Sequence, residues 1–210
     1  MHIEYHESIT RKALSEHFGP HALQAILAAN LKQDNLLNGQ IGHNEYHYDN
    51  NALAESNHYI EEQRGLSLSA LQKDDLPAAW AAFGRLTHTA QDFYAHSNYV
   101  DLWLSNFDGQ TPPPPSEIAP LIEELVHSPE LHSGKLYYPV GVLSFIPIVK
   151  RLVIPLLPAD SHAHMQLDSP ARGERFAYAF EAAVKRTQHE FKITVQNLST
   201  SQKAMFRGAS

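Results

Sequence analysis

One segment of the sequence, residues 74–104, predicts a long helix that must be buried among other helices. Its large apolar side chains recur at helical spacing around much of its circumference: Trp80, Phe83, Leu86, Phe93 and Trp103. The same segment carries His88, Asp92 and His96 at intervals of four residues, which places all three on one face. Because buried polar side chains need partners, other segments must meet this face.

The rest of the chain also predicts helices. Helical spacing covers residues 8–38, divided at Gly19-Pro20, as well as residues 51–64, 116–126 and 170–198. Residues 39–51 are rich in Asn, Gly and His and predict a loop. A chain of 210 residues without a repeat or a linker fits one domain. The expected fold is therefore an all-α multi-helix bundle that forms a single metal-binding domain, residues 1–210.

Composition and charge exclude some classes of function and of metal site. The net charge of -7 argues against general attraction to nucleic acid, which needs clustered Lys and Arg. The chain has no cysteine, so any bound metal must be held by nitrogen and oxygen ligands. The first residues show no basic start and no apolar run, so a secretory signal is not expected. The expected location is the cytoplasm, with export by another route left open.

An apolar insertion at residues 137–158 precedes the last predicted helix. Four prolines and the pair Lys150-Arg151 interrupt it, so it cannot span a bilayer as a helix. It is either core, a contact in a homo-oligomer, or a lip that touches a membrane surface.

The polar face of residues 74–104 predicts a cluster of metal ions. Each four-residue step rises about 6 Å, so neighbouring residues can share an ion, whereas His88 and His96, about 12 Å apart, cannot. Asp92 can bridge two ions because its two oxygens bind separately. Mixed imidazole and carboxylate ligands favour zinc. The alternative is a solvated polar helix face.

Further candidate ligands lie in distant segments: His6, Asp34, His47, His164 and Asp168. The last two repeat the four-residue spacing. His43 competes with His47, and His162 competes with His164. The sequence leaves both choices open.

Residues 84–99 read GRLTHTAQDFYAHSNY and resemble the signature of the heterokaryon-incompatibility C (Het-C) family, distant relatives of zinc-dependent phospholipases C and fungal zinc nucleases. Two shorter elements are similar to others in that family: His6-Glu7-Ser8-Ile9-Thr10, and Glu45 to Asp49. The stretch from His164 to Arg172 resembles the element before the family's last helix. The resemblance implies a bundle of the phospholipase C or zinc nuclease type.

The resemblance also implies two or three zinc ions and a ligand set for each. One ion would take Asp34, His47, His88 and Asp92, a second His96, His164 and Asp168, and a third His6 and Asp92. In the phospholipases an amino terminus completes the third site, for which this chain offers Met1 or His2.

The implied reaction is hydrolysis of a phosphodiester such as a phospholipid. Asp34 or Asp49 would accept a proton from the attacking water. One alternative is a toxin-like incompatibility module that binds a membrane or a partner and in which the metals are structural. The other is a zinc-dependent single-strand nuclease.

Overall fold

This computed structural model describes residues 1–35, 42–141 and 148–208. Helices form where the apolar periodicity of the sequence is strongest. These ranges contain eleven α-helices: α1 (Ile3–Leu14), α2 (Pro20–Lys32), α3 (Asn44–His47), α4 (Leu53–Gln72), α5 (Leu76–His96), α6 (Tyr99–Ser105), α7 (Glu123–Val126), α8 (Lys150–Val153), α9 (His162–Met165), α10 (Arg175–Gln196) and α11 (Thr200–Arg207). Over the same residues, β-pairing is limited to two isolated bridges, Ser97 with Ser133 and Lys135 with Ser161. The predicted all-α fold is confirmed.

Helix α5 is the centre of the bundle and packs against α2, α4 and α10. All its residues from Leu86 to His96 are buried, as the sequence predicts. Gly84 allows α2 to come close, because a Cβ there would lie 2.3 Å from the carbonyl oxygen of Ile26. The central helix therefore presents its polar face to the interior.

The prediction of one helix over residues 74–104 is wrong at its C-terminal end. Ser97 is extended (φ -103°, ψ 166°) and separates α5 from α6. Asn98 is fastened to another segment, since its backbone N–H donates to the carbonyl of His132 (3.0 Å) and its side-chain oxygen accepts from the N–H of His132 (2.9 Å). The chain consequently turns directly after His96, and residues 130–135 lie beside the end of α5.

Other helix boundaries also differ from the prediction. Helix α1 begins at Ile3 instead of residue 8, so His6 lies within it. Helix α4 continues past Gly65 to Gln72, because a solvent-exposed glycine lowers helix stability without ending the helix. The predicted loop 39–51 contains α3. The predicted helix 116–126 is reduced to a 3-10 turn and α7, with Pro120 between them.

The apolar insertion has two faces in its described part, while its residues 142–147 lie outside the described residues. Val153 and Leu157 pack with Ala163 in a small separate core. Ile148, Leu152 and Leu156 are 88%, 75% and 78% exposed. In the described ranges, no helix has both the length and the apolarity needed to cross a membrane.

Candidate metal centre

Nine acidic and imidazole side chains converge at the end of the bundle where α5 stops. They come from α1, the residues after α2, α3 and the turn after it, α5, α9 and the residues after α9: His6, Asp34, His47, Asp49, His88, Asp92, His96, His162 and Asp168. All five imidazoles are buried. The four carboxylates are at most 13% exposed.

Asp92 lies at the middle of this cluster and is fully buried. Its Oδ1 is 3.2 Å from Nε2 of His6. Its Oδ2 is 2.9 Å from Nδ1 of His47 and 3.1 Å from Nε2 of His88. The two oxygens therefore face different sets of imidazoles, which is the arrangement that a bridging carboxylate needs.

Three groups of side chains bring their donor atoms within 4.8 Å of one another. The groups are His6, His88 and Asp92; Asp34, His47 and His88; and Asp49, His96 and His162. Two donors bonded to one tetrahedral zinc ion lie about 3.3 Å apart, given bonds of about 2.0–2.1 Å. The spacing inside the first two groups matches this distance: 3.2 Å between Nε2 of His6 and Oδ1 of Asp92, and 3.1 Å between Nε2 of His88 and Nδ1 of His47.

Gln91 fixes which nitrogen of His6 carries the proton. The amide nitrogen of Gln91 donates to the hydroxyls of Thr10 (3.0 Å) and Thr187 (3.1 Å), so its oxygen must face His6. That oxygen lies 2.6 Å from Nδ1 of His6 and accepts its N–H. In neutral His6, Nε2 therefore carries no hydrogen, and its lone pair is directed at Asp92.

His96 is oriented in the same way by a backbone group. Its Nδ1 lies 2.7 Å from the carbonyl oxygen of His47, which can only accept a hydrogen bond. In neutral His96, Nε2 therefore also carries a lone pair. This nitrogen lies 3.1 Å from Oδ1 of Asp168. A proton on Nε2 of His96 or a nearby cation satisfies Asp168, whereas the lone pair of neutral His6 faces Oδ1 of Asp92 directly, a contact that repels unless positive charge lies between the two groups.

Two buried atoms provide an independent test of whether a metal fits. Nε2 of His6 and Oδ2 of Asp34 have no hydrogen-bond partner among the described residues, although buried polar atoms nearly always have one. They lie 3.9 Å apart, too far for a hydrogen bond and close enough to share a cation. The residues present therefore fit a divalent metal.

The cluster attracts positive charge. The amino group of Met1 lies 2.5 Å from Oδ1 of Asp92 and 3.2 Å from Oδ1 of Asp168. Burial opposes its charged form, but the carboxylates of Asp168, Asp92 and Asp34 outweigh burial and raise its pKa to about 11. The four carboxylates of the cluster outnumber this single ammonium group.

The surroundings shift the pKa values of His96 and His88 in opposite directions. Burial opposes the charged form of His96, but Asp92, Asp49 and Asp168 raise its pKa to about 9. Burial and the adjacent His6 lower the pKa of His88 to about 4. His88 therefore stays a neutral donor at physiological pH, the form in which imidazole binds a metal.

A strained turn directs His47 and Asp49 to the same centre. Tyr48, Asn50 and Asn51 have positive φ angles of 54°, 54° and 62°. Asn tolerates this conformation, whereas a buried tyrosine seldom adopts it. The hydroxyl of Tyr48 donates to Oδ1 of Asn57 (2.5 Å), which helps to hold the turn.

The structure brings together seven of the eight metal ligands that the sequence predicts. The exception is His164, which was predicted as a ligand but lies outside the cluster. It is exposed, and its Nε2 donates to the carbonyl of Ile154 (2.9 Å). His162 stands in the cluster instead, because residues two apart on the short helix α9 point in nearly opposite directions. Of the other open pair, His47 is in the cluster, while His43 contacts Glu45 and stacks on Tyr46.

The ligand sets are also redistributed. Asp49, predicted as a proton acceptor, lies 2.6 Å from Nδ1 of His162 and belongs to the third group. Gly134 allows this arrangement, since a Cβ there would lie 2.5 Å from Cα of His162. The amino group of Met1, one of the two groups that the resemblance offered for a third site with Asp92, contacts that carboxylate. The α1 periodicity through Ile9 and Ala13, extended towards the N-terminus, would have placed His6 on a helix.

Comparison with known proteins assigns a family. The model of the VWA7 N-terminal domain family matches residues 4–122, more than half of the chain, and the chain belongs to this family. The match includes α1 to α6 and ends before His162 and Asp168. Neither the curated proteins nor the solved structures contain a match.

The resemblance to the Het-C family is therefore wrong. The matched family is a different one, and nothing in the comparisons indicates phospholipase C. The motif misled because its features follow from its position: ligands every four residues and aromatic residues on the other faces suit any buried helix that serves a polar centre.

Proposed function

We propose that this member of the VWA7 N-terminal domain family binds two or three divalent metal ions, zinc foremost, and hydrolyses a phosphate ester. A phosphodiester such as a phospholipid is the most specific form of the proposal. One observation carries the metal-binding part of the proposal: Gln91 fixes the lone pair of neutral His6 so that it faces Asp92, and neither that nitrogen nor Oδ2 of Asp34, 3.9 Å away, has a hydrogen-bond partner among the described residues.

The donor set supports zinc over calcium or magnesium. Calcium and magnesium prefer oxygen ligands, whereas each of the three groups has at least as many imidazoles as carboxylates. Divalent ions held there would polarise a phosphoryl oxygen and lower the pKa of a water molecule.

A carboxylate of the cluster would accept the proton that the attacking water releases. Asp34 can bind an ion through one carboxylate oxygen and accept a proton with the other, because the two oxygens act separately. Asp49 is engaged with His162 and His96 and is less suited to this role. Asp34 is therefore the proposed base, and Asp49 a ligand.

The test is the activity and metal content of Asp92→Asn. We expect the purified protein to contain two or more zinc equivalents and to hydrolyse bis(p-nitrophenyl) phosphate in a chelator-sensitive reaction. In Asp92→Asn, loss of the bridging charge should lower the rate by at least about a hundredfold and remove at least one ion.

The matched control is Asp101→Asn, an exposed aspartate that pairs with Arg175 away from the cluster. It should retain both metal and activity. A metal-free protein after gentle purification, or turnover unaffected by chelation, would refute the proposal.

A second candidate function, contact with a membrane surface through residues 137–158, is favoured by the exposed face of the insertion. Ile148, Leu152 and Leu156 are spaced four residues apart and exposed, and Arg151 is exposed among them. Aliphatic side chains beside a basic residue suit the interface of an anionic bilayer. This contact is compatible with an enzyme and with a module whose metals are structural.

Co-sedimentation with phosphatidylserine vesicles tests this contact. Leu152→Asn should weaken binding by about tenfold to a hundredfold, since burying a leucine side chain contributes about 1.5–3 kcal/mol. Leu66→Asn, which changes an exposed leucine on α4, should have no effect. If Leu152→Asn changes the sedimentation coefficient but not vesicle binding, the face is a homo-oligomer contact.

The single-strand nuclease has less support. The cavity beside His47 does contain aromatic rings, but it is lined by Glu45, Glu55 and Glu62, which repel a phosphate backbone.

A further inference from the structure

Asn30 is a buried amide at the interface between α2 and α5, and two partners fix its orientation. Its nitrogen Nδ2 lies 3.1 Å from Oγ1 of Thr87 and 3.4 Å from Oε1 of Gln91. The hydroxyl of Thr87 donates to the carbonyl of Gly84 (2.8 Å), so it accepts from Asn30. The oxygen of Gln91 can only accept. Both partners therefore require the amide nitrogen of Asn30 on their side, and the amide oxygen faces away from them.

Two buried atoms on these packed helices have no hydrogen-bond partner among the described residues: Oδ1 of Asn30 and Nδ1 of His88. Buried polar atoms nearly always have a partner. The amide oxygen is an acceptor without a donor, whereas the ring nitrogen is a donor or an acceptor according to the tautomer of His88.

Several contacts place Asn30 beside His88. Asn30 contacts Gln91, which lies three residues after His88 on α5. Asp34, four residues after Asn30, has Oδ1 3.7 Å from Nε2 of His88. The rings of His88 and His6 stack with centroids 4.2 Å apart, and Nδ1 of His6 bonds to the oxygen of Gln91 that Asn30 also contacts. The amide of Asn30 therefore lies next to this stacked pair.

The other ring nitrogen of His88 faces the candidate centre. Nε2 lies 3.1 Å from Oδ2 of Asp92. Without a metal, the single N–H of neutral His88 is therefore on Nε2, where it donates to the carboxylate. Nδ1 then carries a lone pair and cannot bond to Oδ1 of Asn30, because both atoms are acceptors. This tautomer explains why the two atoms have no partner in the described residues.

We propose that Asn30 is a positioning residue of the metal centre and accepts the Nδ1–H that His88 gains when a divalent ion binds its Nε2. The inference rests on the metal-binding part of the proposed function. Nε2 releases its proton to the solvent and Nδ1 takes one up, so the ring stays neutral. The new N–H is a buried donor, and Oδ1 of Asn30 is its acceptor, directly or through one water molecule.

Long-range proton–nitrogen correlation NMR tests the proposal, since it distinguishes a ring nitrogen that carries a hydrogen from one that does not. We expect the hydrogen of His88 on Nε2 in the chelated parent and on Nδ1 in the zinc-loaded parent. Zinc affinity should fall by about tenfold to a hundredfold in Asn30→Leu, which has no acceptor. Asn30→Asp keeps an acceptor oxygen and should restore most of this affinity.

Two control variants separate this role from packing. Thr87→Val removes a hydroxyl that accepts from the nitrogen of Asn30 but leaves the Asn30 oxygen, so zinc affinity should stay close to that of the parent. Ser56, on α4, is the matched control, because its Oγ is another buried oxygen without a partner in the described part of the chain. Ser56→Ala should leave both the zinc affinity and the Nδ1–H of His88 intact. Loss of affinity in Ser56→Ala but not in Asn30→Leu would assign the acceptor to Ser56 instead.

The outcomes also separate this inference from the proposed function. A protein that binds no zinc would refute both. Zinc binding with the hydrogen of His88 still on Nε2, or with equal affinity in the parent and Asn30→Leu, would overturn the role of Asn30 and leave the metal centre standing.

Discussion

Gln91 illustrates how a residue that touches no metal can control the proposed centre. Its oxygen accepts from His6, and its nitrogen donates to Thr10 and Thr187. We expect Gln91→Leu to lower zinc affinity by about tenfold to a hundredfold, because His6 loses the partner that fixes its tautomer. Competition with a chromophoric chelator measures the change.

The variant also leaves buried hydroxyls unpaired, so its lower stability must be separated from its metal affinity. Gln63→Leu is the matched control, since Gln63 is a buried glutamine on α4 that accepts from Arg85 outside the cluster. It should be destabilised to a similar degree, by about 1–3 kcal/mol, with zinc affinity intact. Equal affinities in the two variants would show that Gln91 has only a structural role.

At the same scale, residue spacing by itself identifies site residues only where a pattern is long enough to repeat. His88, Asp92 and His96 lie on a helix of several turns, so four-residue spacing identified their common face. Helix α9 has four residues and no periodicity to read, so His162 and His164 could not be told apart. The proximity of Asp34 to His88 and of Asp168 to His96 depends on packing between distant segments.

At the scale of helices, a buried ionic network joins α10 to α4. Nε of Arg186 donates to Oε1 of Glu190 (2.6 Å), and a nitrogen of Arg64 donates to Oε2 (2.5 Å). Burial alone would raise the pKa of Glu190, but Arg186 and Arg64 hold it below the ordinary value of 4.5. The charged form of Glu190 therefore stabilises the fold above that pH, and this contribution is lost as the pH falls through the lowered pKa.

We expect Glu190→Gln to lower the free energy of unfolding by about 3–5 kcal/mol at neutral pH, because Arg186 loses its buried counter-charge. The difference from the parent should shrink as the pH falls below about 4.5, because the unfolded parent then binds a proton at Glu190 while the folded parent stays charged until its lowered pKa. Urea denaturation at several pH values measures both. Glu61→Gln removes only the exposed partner of Arg64 and should cost at most about 1 kcal/mol. A difference that stays constant with pH would contradict the assignment.

Helix boundaries were predictable where local signals decide them and not where tertiary bonds do. Gly19-Pro20 separates α1 from α2 as expected, since proline is favoured at the start of a helix. The break after His96 was missed because Ser97 and Asn98 are helix-compatible in isolation, and it is their bonds to residues 132 and 133 that end α5. The capping box of Ser199 and Gln202, which starts α11, is a local signal that the sequence does contain.

For the whole molecule, the cluster joins segments that are far apart in sequence, from His6 to Asp168. The four carboxylates repel one another unless cations or protons lie between them, so bound metals should stabilise the fold as well as take part in the reaction. We expect chelation to lower the melting temperature, because a ligand at a hundred times its dissociation constant contributes about 2.7 kcal/mol per site. Calorimetry after dialysis against a chelator and then against zinc or magnesium measures the effect.

Zinc should restore the melting temperature and magnesium should not, since the donors are largely imidazoles. Identical melting curves in all these states would show that the carboxylates are balanced by protons and the amino group of Met1, with no metal required.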